Sequence, residues 1–183
     1  MKTMTKAHFK IFSDGGSFNN GYKNPDLPQF STSGIVITLN ENVLFEGSKG
    51  HEGDHATISY AELYGAILAC KVLEKKLSKV NGISKPYRVT LYSDSQYVVK
   101  GAMEWMPGWK KRGWKNAAGE TVAQVDLWKE FDSKFLSNPD WDIDLIHVKG
   151  HTNKQDFLSL MNDKCDSLCT SKLQELKDKN SLK

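Results

Sequence analysis

At 183 residues, with 39% apolar and 26% charged side chains, the chain has the composition of one soluble globular domain, not of a disordered or fibrous protein. No apolar run approaches the roughly 20 residues that span a bilayer, and the basic start MKTMTKAHFK lacks the apolar stretch of a signal peptide, so no membrane partner is expected. The net charge of +3 admits a nucleic-acid partner without demanding one, and three sparse cysteines (Cys70, Cys165 and Cys169) suit a reducing cytoplasm better than a disulfide framework.

The elements follow in chain order after a flexible N-terminus, residues 1–7. The segment His8–Ser13 alternates as a first strand and runs into the turn signal Asp14-Gly15-Gly16-Ser17. A polar stretch rich in Gly, Asn and Pro, Phe18 to Ser33, reads as a surface loop. Gly34–Leu39 and Val43–Gly47 are the second and third strands, and the short Asn40-Glu41-Asn42 link predicts a hairpin between them. A long helix spans about Ser59 to Val80, with Leu63, Ala66, Ile67, Cys70, Leu73 and Leu77 on one stripe and Asn81-Gly82 as its stop.

Tyr87–Ser93 is a fourth strand, feeding a helix that carries Val98, Val99, Ala102 and Met106 on one side. Another helix fits Asp126–Leu136, stopped by Asn138-Pro139. Trp141–Val148 alternates as a fifth strand, and a last helix bears Met161, Cys165, Leu168, Leu173 and Leu176. The domain is expected over residues 8–177, with a frayed tail over 178–183. Three strands, helix, strand, helices, strand, helix is the order of an α/β domain: one five-stranded mixed sheet, its first three strands antiparallel, with helices on both faces.

Four acids stand at the ends of elements: Asp14, Glu62, Asp94 and Asp166. If strands one and four are neighbours, Asp14 and Asp94 converge at adjacent strand ends, where open α/β sheets place their sites. Clustered carboxylates repel, and a hard divalent cation, Mg²⁺ or Mn²⁺, would cancel that repulsion. Each acid also has a plainer reading. Ser59-x-x-Glu62 and Ser93-x-x-Gln96 match capping boxes, Asp14 can serve its turn, and Asp166 can be a surface helix charge. A zinc set of His51, His55, Cys165 and Cys169 competes with ordinary core packing of the two cysteines.

From Lys100 to Lys115, five basic residues (Lys100, Lys110, Lys111, Arg112 and Lys115) face one acid, Glu104, and interleave with Trp105, Trp109 and Trp114. Cations neutralise phosphates and planar rings pack on sugars and bases, so the segment suits nucleic acid. The alternative is solvated lysines beside tryptophans folded into the core.

Five segments in order resemble the signatures of the type 1 ribonuclease H family. They are SDGGS (Ser13–Ser17), AEL (Ala61–Leu63), SDSQYV (Ser93–Val98), VKGH with NDKCD (Val148–His151 and Asn162–Asp166), and the protrusion-like Trp105–Trp128. The resemblance covers about residues 8–172. It implies a ribonuclease H-like fold and a metal-dependent endonuclease acting on the RNA strand of RNA–DNA hybrids. It further implies Asp14, Glu62, Asp94 and Asp166 as ligands of two Mg²⁺ ions, with Mn²⁺ a possible substitute, and His151 as a catalytic loop histidine. The substrate-binding residues it implies are Thr57, Gln96, Trp105, Trp109, Lys110, Lys111, Arg112, Trp114 and Lys115. The protein is expected to act as a monomer.

Three features depart from the family pattern. The loop after Gly16 is long and poor in glycine. Ile58 and Ser59 stand where the family often carries asparagines that touch the minor groove. The span from His151 to Asp166 is lengthened by apolar Phe157, Leu158 and Leu160, which bears on the placement of His151. With seven residues before His8, binding is expected through the catalytic domain alone. The rival functions are a non-catalytic hybrid-binding domain, in which the four acids need not persist, and another nuclease of the same fold, such as a resolvase or transposase core, which would not need the Trp/Lys segment.

Overall fold

The computed structural model describes residues 6–182. Most of the expected flexible N-terminus, residues 1–5, lies outside the described residues, as does the last residue of the tail. Five strands form one sheet in the order β3-β2-β1-β4-β5: β1 His8–Phe18, β2 Phe30–Leu39, β3 Asn42–Glu52, β4 Tyr87–Ser93 and β5 Trp141–His147. The first three strands pair antiparallel, whereas β4 runs parallel to both β1 and β5.

Alternation along the strands divides the core between the two faces. Phe9, Ile11, Ile35, Ile37, Val89 and Leu91 point to α1 (Ile58–Leu77), whose stripe of Leu63, Ala66, Ile67, Cys70, Leu73 and Leu77 is buried as the spacing predicts. Each fully buried Leu or Ile there contributes about 1.5–3 kcal/mol. On the opposite face Phe12, Val36 and Tyr92 meet Cys165 of α5 (Phe157–Lys179). The inward side of α5 is set by Asn162, Cys165, Cys169 and Leu176, while Met161, Leu168 and Leu173 of the expected stripe are half-buried.

Several boundaries differ from the sequence reading, for physical reasons. The expected loop from Phe18 to Ser33 is shorter, because β1 continues to Phe18 and β2 begins at Phe30. The rings of these two residues stack, with centroids 5.9 Å apart, in a register that the turn-rich composition conceals. β3 likewise extends to Glu52. The last helix runs through Lys179 and closes on Asn180, past the boundary placed at 177.

Neither expected capping box forms. Thr57 caps α1 by accepting from the Tyr60 N–H, and Ser95 caps α2 (Gln96–Lys100) by accepting from the Val98 N–H. Two helices widen into π turns: α2 continues through Gly101–Trp105 into α3 (Met106–Lys111), and α4 (Val125–Phe131) continues through Asp132–Leu136. The Trp128 ring lies against Gly101 where any Cβ would stand. Lys71–Glu130 at 2.8 Å and Lys134–Glu74 at 2.9 Å link α1 to α4 and the turn after it. Among the described residues, no helix is long and apolar enough to cross a membrane.

Candidate active site and nucleic-acid interface

The parallel pairing of β1 with β4 ends at Ser13 opposite Ser93, so the next residues, Asp14 and Asp94, follow at the same level. β4 stops there, whereas β1 continues to Phe18, so Asp14 lies within the strand, opposite Gly34, and not after it as expected. Asp14 is buried, and Asp94 stands near enough for its charge to act on it. Its pKa is pushed up to about 8, first by burial and then by the charge of Asp94; the Gly15 N–H, 2.8 Å from Asp14 Oδ1, opposes the shift, and Asp166 adds to it. Glu62 is raised by burial and by Asp94, against a hydrogen bond from Ser95 Oγ to Glu62 Oε2 at 2.7 Å.

Close backbone packing gathers these acids from four elements. A Cβ on Gly15 would stand 2.8 Å from Glu62 Cγ, so α1 approaches β1 only because that position is glycine. Gly34, paired with Asp14 across the sheet, lies against α5, where a Cβ would meet Cys165 O at 2.5 Å. That close approach lets α5 bring Asp166 alongside. Gly150, in the loop after β5, passes so near Asp94 that a Cβ would be 2.8 Å from its Oδ2. The four acids thus face one region, where Asp14 feels the charges of Asp94 and Asp166, and Glu62 that of Asp94. Among the described residues, no three His, Cys, Asp or Glu side chains stand in ion-holding geometry.

The plainer readings of the acids fare differently. Asp94 precedes the cap Ser95, so it is not a first-turn helix acid, and Glu62 lies beyond the first turn of a helix capped by Thr57. Cys165 and Cys169 are buried free thiols, with Cys169 Sγ directed at Asp14 O (3.4 Å) and Thr32 O (3.7 Å). His51 is committed to Ser33 Oγ at 2.9 Å, whereas His55 is exposed.

His151 is exposed in the loop that follows Gly150, with φ +54°. The lengthened span beyond it is anchored by Phe157, whose ring packs edge-on against Phe12 at 6.0 Å, while Leu160 is exposed. Three neighbours of the acids are given no role by the sequence reading. His147 ends β5 with Nε2 3.3 Å from Asp94 O. Asn162 is buried, its Nδ2 3.5 Å from Asp94 Oδ2 and its Oδ1 without a partner. Ser95 carried a signal, since a serine before a helical run is a common N-cap, but Ser93 took that role in the sequence reading.

The basic segment divides in two. Trp109 packs on the buried Trp128 with ring centroids 5.3 Å apart, and Trp114 lies under Lys129, so both are partly buried against the main core, as the plainer reading of this segment has it. Lys110 is paired with Asp132 at 2.6 Å. Trp105, Lys111, Arg112 and Lys115 are exposed, and Arg112 lies across Gly108 with its Nε donating to Lys115 O at 3.1 Å. Gln96 is exposed at the start of α2, and Thr57 is half-buried at the N-cap of α1. From the lengthened β1–β2 loop, Asn20 Oδ1 accepts from the Ile58 N–H at 2.9 Å, which sets an asparagine beside the helix start that lacks one of its own.

A family model described as RNase H matches residues 6–174. A Ribonuclease H of Lachnoclostridium phytofermentans is 34% identical over 164 residues, covering 88% of this chain and 89% of that protein. A Ribonuclease HI of Vibrio parahaemolyticus is 34% identical over 165 residues, covering 90% and 88%. Among solved structures, the foamy viral protease-reverse transcriptase in complex with RNA/DNA hybrid is similar at a TM-score of 0.68 and 22% identity, across 91% of this chain and 20% of that one. At that identity the likeness is one of fold.

Proposed function

This chain belongs to the RNase H family, and we propose that it is an endonuclease that hydrolyses the RNA strand of RNA–DNA hybrids, leaving 5′-phosphate and 3′-hydroxyl ends. The observation that carries this reading is the placement of Asp14 and Asp94 on neighbouring parallel strands, one residue beyond the Ser13–Ser93 pair, with Asp14 pushed up to about 8 by burial and by Asp94. Two like charges held together in a buried position cost stability, and a cation removes the cost.

The donors are all oxygen, the preference of Mg²⁺ with Mn²⁺ as substitute, so Asp14, Glu62, Asp94 and Asp166 would hold two such ions when substrate is bound. When bound, the ions supply a more acidic water and neutralise charge on the leaving oxygen. The chain's residues do the rest. Lys111, Arg112 and Lys115 neutralise phosphates of the DNA strand, and the exposed Trp105 ring packs on its sugars. Gln96 and Thr57 stand where 2′-hydroxyls of the RNA strand could be read. His151, beside Gly150, handles a proton or helps the product depart. The three free, buried cysteines accord with a reducing, cytoplasmic setting.

The test is cleavage of a uniformly labelled RNA–DNA hybrid beside RNA–RNA, DNA–DNA and single-stranded RNA, with Mg²⁺ and with EDTA. Internal cutting of the hybrid's RNA strand alone, abolished by EDTA, is the expected result. Tight hybrid binding without cutting would make the chain a non-catalytic hybrid-binding domain, and preferential cutting of branched DNA would move it to the resolvase class.

A further inference from the structure

Ser95 separates the two acids that come from different elements. Its residue neighbour is Asp94, and its hydroxyl lies 2.7 Å from Glu62 Oε2 on α1. The same hydroxyl is 3.2 Å from the Val98 N–H, and its own N–H donates to Ser93 Oγ at 3.1 Å. Val98 N–H can only donate, so it takes a lone pair of Ser95 Oγ and leaves the single hydroxyl proton for Glu62. The direction of both bonds is therefore fixed, and the side chain is 5% exposed, so water does not compete for it.

We propose that Ser95 is a positioning residue: it pins one oxygen of Glu62 beside Asp94, so that this ligand is already placed before an ion arrives and draws in the rest of the cluster. Glu62 reaches the cluster from a helix, through a side chain with several rotatable bonds. Asp94, by contrast, is placed by the strand end and by Gly150. Ordering a free glutamate on ion binding has an entropic cost that the Ser95 bond removes in advance. The inference rests on the metal-site reading of Glu62 and Asp94.

The experiment measures Mg²⁺ binding to the full chain by calorimetry without substrate, together with kcat and KM on the hybrid, for Ser95→Ala, Ser95→Gly and Ser95→Thr. Ser95→Gly separates positioning from capping, because glycine is a tolerated N-cap that lacks the hydroxyl. Ala and Gly are expected to weaken Mg²⁺ binding about tenfold, a factor typical of removing support from a metal ligand, and to lower kcat with KM changed less than about twofold. Threonine, which keeps the hydroxyl, is expected to recover most of both effects. Wild-type Mg²⁺ affinity and kcat in the Gly variant would overturn the proposal and leave Ser95 a helix cap. Asp94→Asn, run in parallel, keeps the two failures apart. If it binds Mg²⁺ as wild type does, the metal site itself is misassigned. If it loses binding while Ser95→Gly does not, only the positioning role falls.

Discussion

The sheet end that carries Asp14 and Asp94 and the helical arm that carries Trp105 to Lys115 meet opposite requirements. At the sheet end, main chain does the placing: the parallel pairing of β1 with β4 ends in register, and glycines at 15, 34 and 150 let α1, α5 and a loop close in. The charges there are like, crowded and buried. In the arm, aromatic packing does the placing, through Trp109 on Trp128 and Trp128 on Phe131. Its outward cations stand in water on flexible stems. One region gathers charge at a stability cost that an ion can relieve; the other spreads charge where it costs little and acts at longer range. Damage to the first should therefore appear in rate, and damage to the second in affinity.

The largest effect is expected from Asp14→Asn or Asp94→Asn, each of which should nearly abolish cutting while hybrid binding in a gel-shift assay stays close to wild type. Near wild-type turnover in either variant would place the chemistry elsewhere. The arm's counterpart is Trp128→Ala, which empties its fully buried centre and should cost about 3–5 kcal/mol. At about 2–4 °C per kcal/mol for a chain of this length, thermal melting should register a fall of many degrees. A drop of a degree or two would mean that the arm does not rest on that ring.

Smaller, but specific to the carboxylate end, is a pH effect in EDTA. Unfolded, Asp14 loses its proton near 3.8; folded, it keeps it until about 8. Between those values the folded chain holds more protons than the unfolded one, so stability falls as pH rises from about 4 to 8. Melting temperature in EDTA should be higher at pH 5.5 than at pH 8, Asp14→Asn should flatten the difference, and Mg²⁺ should narrow it from the high-pH side. A flat profile in the wild type would mean that Asp14 ionises normally.

The two regions were also unequally legible in the sequence. Strand alternation and helical stripes are properties of local spacing, so the five strands, the inward face of α1 and Asp94 at a strand end could be read directly, whereas Asp14 lies within β1 and Asp166 midway along α5, not at element ends. What escaped depends on contacts distant in sequence. Phe18 stacking on Phe30 extends a hairpin through a stretch that composition marks as loop. The hydroxyl chosen as a cap depends on where α1 and α2 start, and in each case it lies two residues from the matching motif. His147 reaches Asp94 only because β5 pairs with β4 in a particular register. In the arm, no spacing rule separates Trp105, which faces solvent, from Trp109, which is packed, or Lys111 from the ion-paired Lys110.

That last pair gives the finest test of the division. Replacing Lys111, Arg112 and Lys115 together with glutamine should weaken hybrid binding and flatten the slope of log affinity against log salt by about 0.9 for each phosphate no longer neutralised, with kcat at saturation little changed. Lys110→Gln removes the same formal charge from the same helix, yet its ammonium is already held by Asp132 at 2.6 Å, which faces inward more than the lysine does. The pair is partly exposed, so breaking it should cost stability less than about 1 kcal/mol. It would also free Asp132 to repel the approaching backbone. A single Lys110→Gln should therefore shift affinity slightly and leave the salt slope within error of wild type. A slope change as large as that of Lys111→Gln would show that the ion pair opens on binding and that Lys110 belongs with the outward cations after all.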